Sequence, residues 1–183
     1  MRLGIWLVVL AGCRFGFSQG DDSPSMMTND AAIADTDATA DARLDSTTSA
    51  TCPPSYVTVG GQTSKYRGLT NSIVWLSAEQ TCETDGTHLV IVDNAAELTA
   101  MTNLIPGQNL WIGVTDRKTI GAFLAVTGPS AAYLPWDASE PDGSAAECVF
   151  IDSLTLKMAD QGCGSGRRAV CECDGVPADP TSY

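Results

Sequence analysis

The chain has 183 residues, 44% of them hydrophobic, and carries a formal net charge of −12. That apolar content excludes wholesale disorder, and the length suits one folded domain with a linker or tail. The acidic balance argues against a phosphate-binding surface, so nucleic acid is not an expected partner.

Taken in chain order, Arg2, the apolar run from Leu3 to Leu10 and the small residues Ala11 and Gly12 read as an export leader over residues 1–12. The run is too short to span a bilayer, which takes about 20 apolar residues. Leu10-Ala11-Gly12-Cys13 resembles a bacterial lipobox. That resemblance implies that Cys13 carries lipid and holds the mature protein to a membrane. Residues 13–51 follow as an acidic stretch rich in Ala, Thr and Asp. From residue 18 to 51 there is no aromatic side chain, so the segment cannot bury enough surface to offset its ordering entropy. It reads as a flexible, self-repelling tether.

A globular pattern begins at Cys52 and ends at Cys173. Tyr56-Val57-Thr58-Val59 is rich in strand formers and stops at Gly60-Gly61. Residues 72–85 are expected to be helical, because Trp75, Ala78 or Glu79, and Cys82 recur at helical spacing, with Gly86 as the stop. Leu89-Val90-Ile91-Val92 reads as a buried strand. Asp93 or Asn94 caps a second helix whose apolar stripe is Leu98, Met101 and Leu104 or Ile105, and Pro106-Gly107 ends it. Beyond Leu110 the pattern is short strand and loop, with strands expected at 110–114, 122–126, 148–151 and 169–171. A loop over 127–147 holds three prolines and two glycines. Loops of that length inside a compact domain are usually functional. Two early helices followed by strands and long loops describe an α+β domain. The tail, residues 174–183, has two prolines and is expected to fray.

The seven cysteines form no paired CxxC set, and His88 is the only histidine, which argues against zinc. With Cys13 set aside for lipid, Cys52, Cys82, Cys148, Cys163, Cys171 and Cys173 remain. An even number in an exported chain points to a disulfide framework, although spacing alone leaves the pairing open.

Several features in order identify the domain as similar to the C-type lectin-like domains. These are Trp75, Ala78 and Cys82, then Trp111-Ile112-Gly113, Gly121 and Phe123, and Trp136. Glu140-Pro141-Asp142, Cys148-Val149, Cys163 and Val170-Cys171-Glu172 complete the order. The resemblance runs from Cys52 to Cys173. It implies two helices, short antiparallel sheets and a long loop region, with bridges Cys82–Cys171 and Cys148–Cys163. Cys52–Cys173 is then the third bridge, because the terminal strands of that fold lie side by side.

The resemblance also implies a ligand site. Sugar-binding members hold calcium in the long loop, and calcium takes about 6–8 oxygen ligands. Here the implied ligands are Glu140 and Asp142, flanking an expected cis Pro141, together with Asp160. The set is incomplete, because Ala146 and Ala159 stand where the family places two further ligands. Glu147, next to Ala146, would substitute only with a shift of register. Asp116 and Glu147 match an auxiliary calcium site, but Ile120 and Gly143 replace acids there. Calcium, with this incomplete ligand set, is therefore the candidate cofactor. The expected partner is a carbohydrate or protein ligand at the cell surface, bound with or without the ion.

The remaining residues read more plainly. His88 is expected to be a structural or surface residue rather than a catalyst, Trp111 and Phe150 to sit in the core, and Trp136 to pack under the loop. Met158 fills a packing gap. Lys157, Arg167 and Arg168 are expected to be solvated. Glu140 and Asp142 are too alike in setting to divide acid and base roles, and no nucleophile motif accompanies His88. A binding module, not an enzyme, is the expectation.

Overall fold

The computed structural model describes residues 51–143, 145 and 147–183. The leader, Cys13 and the tether to residue 50 lie outside the described residues, as does Ala146. The order of elements is β1 (Lys65–Ile73), α1 (Trp75–Thr84), β2 (His88–Leu89), α2 (Ala95–Leu104) and β3 (Leu110–Thr115). β4 (Leu124–Ala125), β5 (Glu147–Asp152), β6 (Lys157–Gly162) and β7 (Arg167–Cys173) follow. The strands form one sheet in the order β1-β7-β3-β5-β6, with β2 on β7 and β4 on β3. The β3–β7 pair is parallel and the other pairs are antiparallel. This is the expected α+β arrangement with two helices and a long loop.

The helices bury the faces their spacing requires. Trp75, Ala78, Glu79 and Cys82 are the buried side of α1. In α2, Asn94 is the cap, its Oδ1 accepting from Ala96 N and Glu97 N at 3.0 Å each. Two differences from expectation have one cause. β1 runs to Ile73, and α1 starts at Trp75 rather than residue 72. β1 has no clean alternation of buried and exposed residues; its pairing with β7 makes it a strand. The start of α1 is likewise tertiary, since Trp75 N donates to Cys163 O at 3.1 Å and Val74 provides no side-chain cap. The expected strand at 56–59 is reduced to one bridge between Val57 and Tyr66.

Two core clusters lie beside the sheet. One gathers Tyr66, Leu98, Met101, Leu110, Ile112 and Met158, and the other Trp75, Cys82, Leu89, Trp111, Cys148 and Cys171. The tryptophans lock α1 to β3 in both directions. Trp75 Nε1 donates to Ile112 O at 2.7 Å, and Trp111 Nε1 donates to Ile73 O at 3.1 Å. Gly113 lies between two neighbouring segments, donating to Val90 O and accepting from Val126 N at 2.8 Å each. A Cβ at Gly113 would sit 2.3 Å from Leu89 O. The glycine after Trp111-Ile112 is therefore a requirement of packing.

All three expected bridges are present: Cys52–Cys173, Cys82–Cys171 and Cys148–Cys163. They join the start of the domain to its end, α1 to β7, and β5 to the turn before β7.

The segment that follows α1 faces three buried carboxylates, one each from α1, β7 and α2. Leu89 N, Ile91 N and Asp93 N donate to Glu79, Glu172 and Glu97 at 2.9, 3.0 and 2.7 Å. Alternate residues point the same way along an extended chain, so three acids satisfy one row of amides. Burial pushes Glu79 and Glu172 up to about 7, against the lowering effect of those amides. His88 is fully buried, which leaves the structural role and excludes the surface one. Its Nδ1 faces Leu89 O at 2.8 Å and its Nε2 faces Asp174 at 3.2 Å.

Two surface expectations are corrected. Residues 174–183 dock rather than fray. Asp179 N donates to Val126 O at 2.7 Å, the Ser182 hydroxyl donates to the same carbonyl at 3.1 Å, and the Tyr183 ring meets Trp75 edge-on at 5.5 Å. Aromatic contact outweighs the two prolines. Arg167 is not freely solvated; its guanidinium lies 3.6 Å from the Phe150 ring centre and 4.8 Å from that of Trp111. This cation–π stack covers ring faces that would otherwise meet water.

Candidate functional site

The long loop is pinned to β6 before it reaches its acidic triplet. Met158 N donates to Pro135 O and Asp137 N to Met158 O, at 2.9 and 2.8 Å. Trp136 packs edge-on against Phe123 at 4.9 Å, under the loop as expected. Glu140 N then donates to Asp137 O at 3.1 Å. The Glu140–Pro141 peptide is cis.

The triplet thus lies beside β6, where Asp160 projects two residues beyond the buried Met158. Asp142 N donates to Asp160 Oδ1 at 3.4 Å. Carboxylate oxygens of Asp142, Glu147 and Asp160 all lie within 4.8 Å of one another. Glu140 belongs to the same group electrostatically. Burial, then a hydrogen bond and the charge of Asp160, then the charge of Asp142, raise its carboxyl above the ordinary range. Glu140 Oε2 and Asp160 Oδ2 are buried without a hydrogen-bond partner, and Asp160 as a whole is 8% exposed.

The three carboxylates expected from the sequence are therefore neighbours, and Glu147 joins them. The resemblance matched Glu147 and Asp116 to an auxiliary site that lacks two acids, and allowed Glu147 into the main site only with a shift of register. In the fold it opens β5 opposite Gly162, and its carboxylate meets Asp142 and Asp160. The signal was only its position beside Cys148. Asp116 does something else. It is 1% exposed, and its two oxygens accept Glu147 N at 2.6 Å and Gly121 N at 2.7 Å. Ala159 packs against the second core cluster and supplies no ligand atom.

Oxygen-only donors of this kind suit a hard divalent cation. Two charges less than 4.8 Å apart repel by about 3 kcal/mol or more at an effective dielectric of about 20. A bound calcium would remove that repulsion and complete the buried oxygens of Glu140 and Asp160. The residues present fit such an ion, which Asp142, Glu147 and Asp160, with Glu140 beside them, would hold.

Comparison with known proteins places this geometry. The family model for the lectin C-type domain matches residues 71–173. The human C-type lectin domain family 3 member A is 36% identical over 102 residues, which cover 52% of this chain and 52% of the relative. The chain spans about half the length of the curated relatives it matches. The cow carbohydrate-recognition domain of CD23, solved in the presence of a GlcNAc2Man3 oligosaccharide, superposes with a TM-score of 0.59 at 27% identity. The alignment covers 67% of this chain and 95% of that one. A calcium-independent type II antifreeze protein shares the fold at 20% identity, with a TM-score of 0.60 over 67% of this chain and 93% of that one.

Proposed function

The chain belongs to the C-type lectin domain family, and on that premise we propose that residues 52–173 form an extracytoplasmic module that recognises its ligand through the long loop. Glu140, Asp142, Glu147 and Asp160 hold one calcium ion beside Pro141. The ion gives the module a point of attachment for vicinal hydroxyls, as a carbohydrate presents them. The observation that carries this reading is the convergence of Asp142, Glu147 and Asp160 within 4.8 Å, beside a Glu140 whose buried oxygen has no partner. Glu147 offsets one of the two ligand positions that the sequence lacks.

Three disulfides require an oxidising compartment for folding. The reading also takes residues 1–12 as a lipoprotein-type leader, Cys13 as the lipid-bearing residue and residues 13–51 as the tether to a membrane. Retention of a Cys13→Ser protein on membranes would remove the anchor. No catalytic role is assigned.

The test is thermal unfolding with calcium and with EDTA, followed by binding to immobilised glycans. Extracellular calcium modules bind with dissociation constants of about 0.1–1 mM. At about 5 mM calcium and a constant of about 0.5 mM, linkage stabilises the fold by about 1.4 kcal/mol. That is a rise of a few degrees in Tm, reversed by EDTA. An unchanged Tm favours a calcium-free ligand site on the same loop, the reading that Ala159 supports.

A further inference from the structure

Asp116 stands where the family resemblance implies an auxiliary calcium ligand, yet the fold uses it differently. It is 1% exposed, and its two carboxylate oxygens accept backbone amides from opposite sides: Glu147 N at 2.6 Å and Gly121 N at 2.7 Å. Its own amide donates to Glu147 O at 3.2 Å. The hydroxyl of Thr115 donates to that same carbonyl and accepts from Arg117 N at 3.2 Å. Both backbone polar groups of Glu147 are therefore held by two adjacent residues at the end of β3. Glu147 is the first residue of β5 and is 7% exposed. It comes straight out of the long loop, so Thr115, Asp116 and the Gly162 pairing position it where its chain enters the sheet.

We infer that Asp116 is a positioning residue that aims Glu147 at the carboxylate cluster, converting what would be a second cation site into a clamp for the first. The inference rests on the cation reading of Glu140, Asp142, Glu147 and Asp160. Its consequence is a module that binds one calcium, not two. A carboxylate at position 116 is needed because two amides require two acceptor oxygens. Asparagine offers one oxygen and sets an N–H against the other amide. Removing such a partner behind a ligand typically weakens metal binding about 10–100-fold.

The test uses the full-length oxidised protein, with calcium affinity from calorimetry and bound-water number from terbium luminescence lifetimes in H2O and D2O. The wild type is expected to bind one calcium. Glu147→Gln should weaken it about tenfold or more and admit about one additional water to bound terbium. Asp116→Asn should reproduce both changes, and the double variant should be little weaker than either single one, because both act through one ligand. Thr115→Val, which removes the hydroxyl at nearly constant shape, should produce the same change in smaller measure. Melting in EDTA identifies variants that have lost the fold; for these the Thr115→Val result decides. If Asp116→Asn lowers only the melting temperature, with calcium affinity and hydration as in the wild type, the clamp is refuted. Additive losses in the double variant, or two calcium ions per chain, refute it as well. Failure of the wild type to bind calcium removes the cation reading and the clamp with it. Binding that Glu147→Gln leaves unchanged removes the clamp alone.

Discussion

Replacing Glu79 by Gln should stabilise the domain in alkaline solution, although Glu79 makes a good hydrogen bond. Its side chain is fully buried on α1, and Oε2 accepts Leu89 N at 2.9 Å, while Oε1 has no hydrogen-bond partner. Burial pushes the carboxyl up to about 7 from 4.5, with the Leu89 amide and His88 acting against it. Between those values the native protein holds a proton that the unfolded chain has released, so stability falls as pH rises. At about 1.4 kcal/mol for each pH unit of separation, the fall through this group from pH 5 to pH 8 is about 2 kcal/mol. Glutamine keeps an oxygen for Leu89 N and never ionises. The advantage of Glu79→Gln over the wild type should therefore grow by about 2 kcal/mol between pH 5 and pH 8. Guanidinium unfolding of the oxidised protein in EDTA, followed by tryptophan fluorescence, measures it. Parallel pH profiles for the two proteins, or a less stable variant at pH 8, would refute the reasoning. Glu172, also pushed up to about 7, and His88, raised by Asp174 and Leu89 O against its burial, slope the same way. The wild type should be more stable in mildly acidic than in alkaline solution.

Gly113→Ala should destabilise the domain by about 3 kcal/mol, because the new Cβ falls 2.3 Å from Leu89 O and no side-chain rotation relieves it; wild-type denaturation midpoints for this variant would contradict the packing. Removing both Cys82 and Cys171 opens a closure of 89 residues and should cost about 4 kcal/mol in chemical denaturation. Tyr183→Ala removes the edge-on contact with Trp75 and the hydrogen bond to Glu83, and should lower stability by about 1 kcal/mol with hydrogen exchange rising first across 174–183. An unchanged exchange pattern there would show that the segment is not held by its last residue.

Much of the fold was legible because burial leaves local periodicity. Trp75, Ala78 or Glu79, and Cys82 announce the inner face of α1, and Asp93 or Asn94 the cap of α2, which the fold gives to Asn94, since each signal lies within a turn or two of its effect. The run 65–73 carried no such signal, and its strand exists through β7 alone. The same holds for the docked tail, whose partners Trp75, Glu83 and Val126 are far away in sequence.

The candidate site divides in the same way. The family resemblance named Glu140, Asp142 and Asp160, through the triplet's order and the place of Asp160 before Cys163, and oxygen donors of that kind suit a hard cation. The resemblance matched Glu147 and Asp116 to an auxiliary site that lacks two acids, and in the fold Asp116 holds the Glu147 amide instead. Only the tertiary structure decided that the Glu147 side chain meets Asp142 and Asp160 while Asp116 turns to the backbone. By itself the sequence determined an acidic chain with paired cysteines, two amphipathic helices and a family order of motifs. The row of amides on Glu79, Glu172 and Glu97 and the destination of each acid depend on groups far apart in the chain. They depend on which backbone donors lie within reach, and only the folded chain fixes that distance.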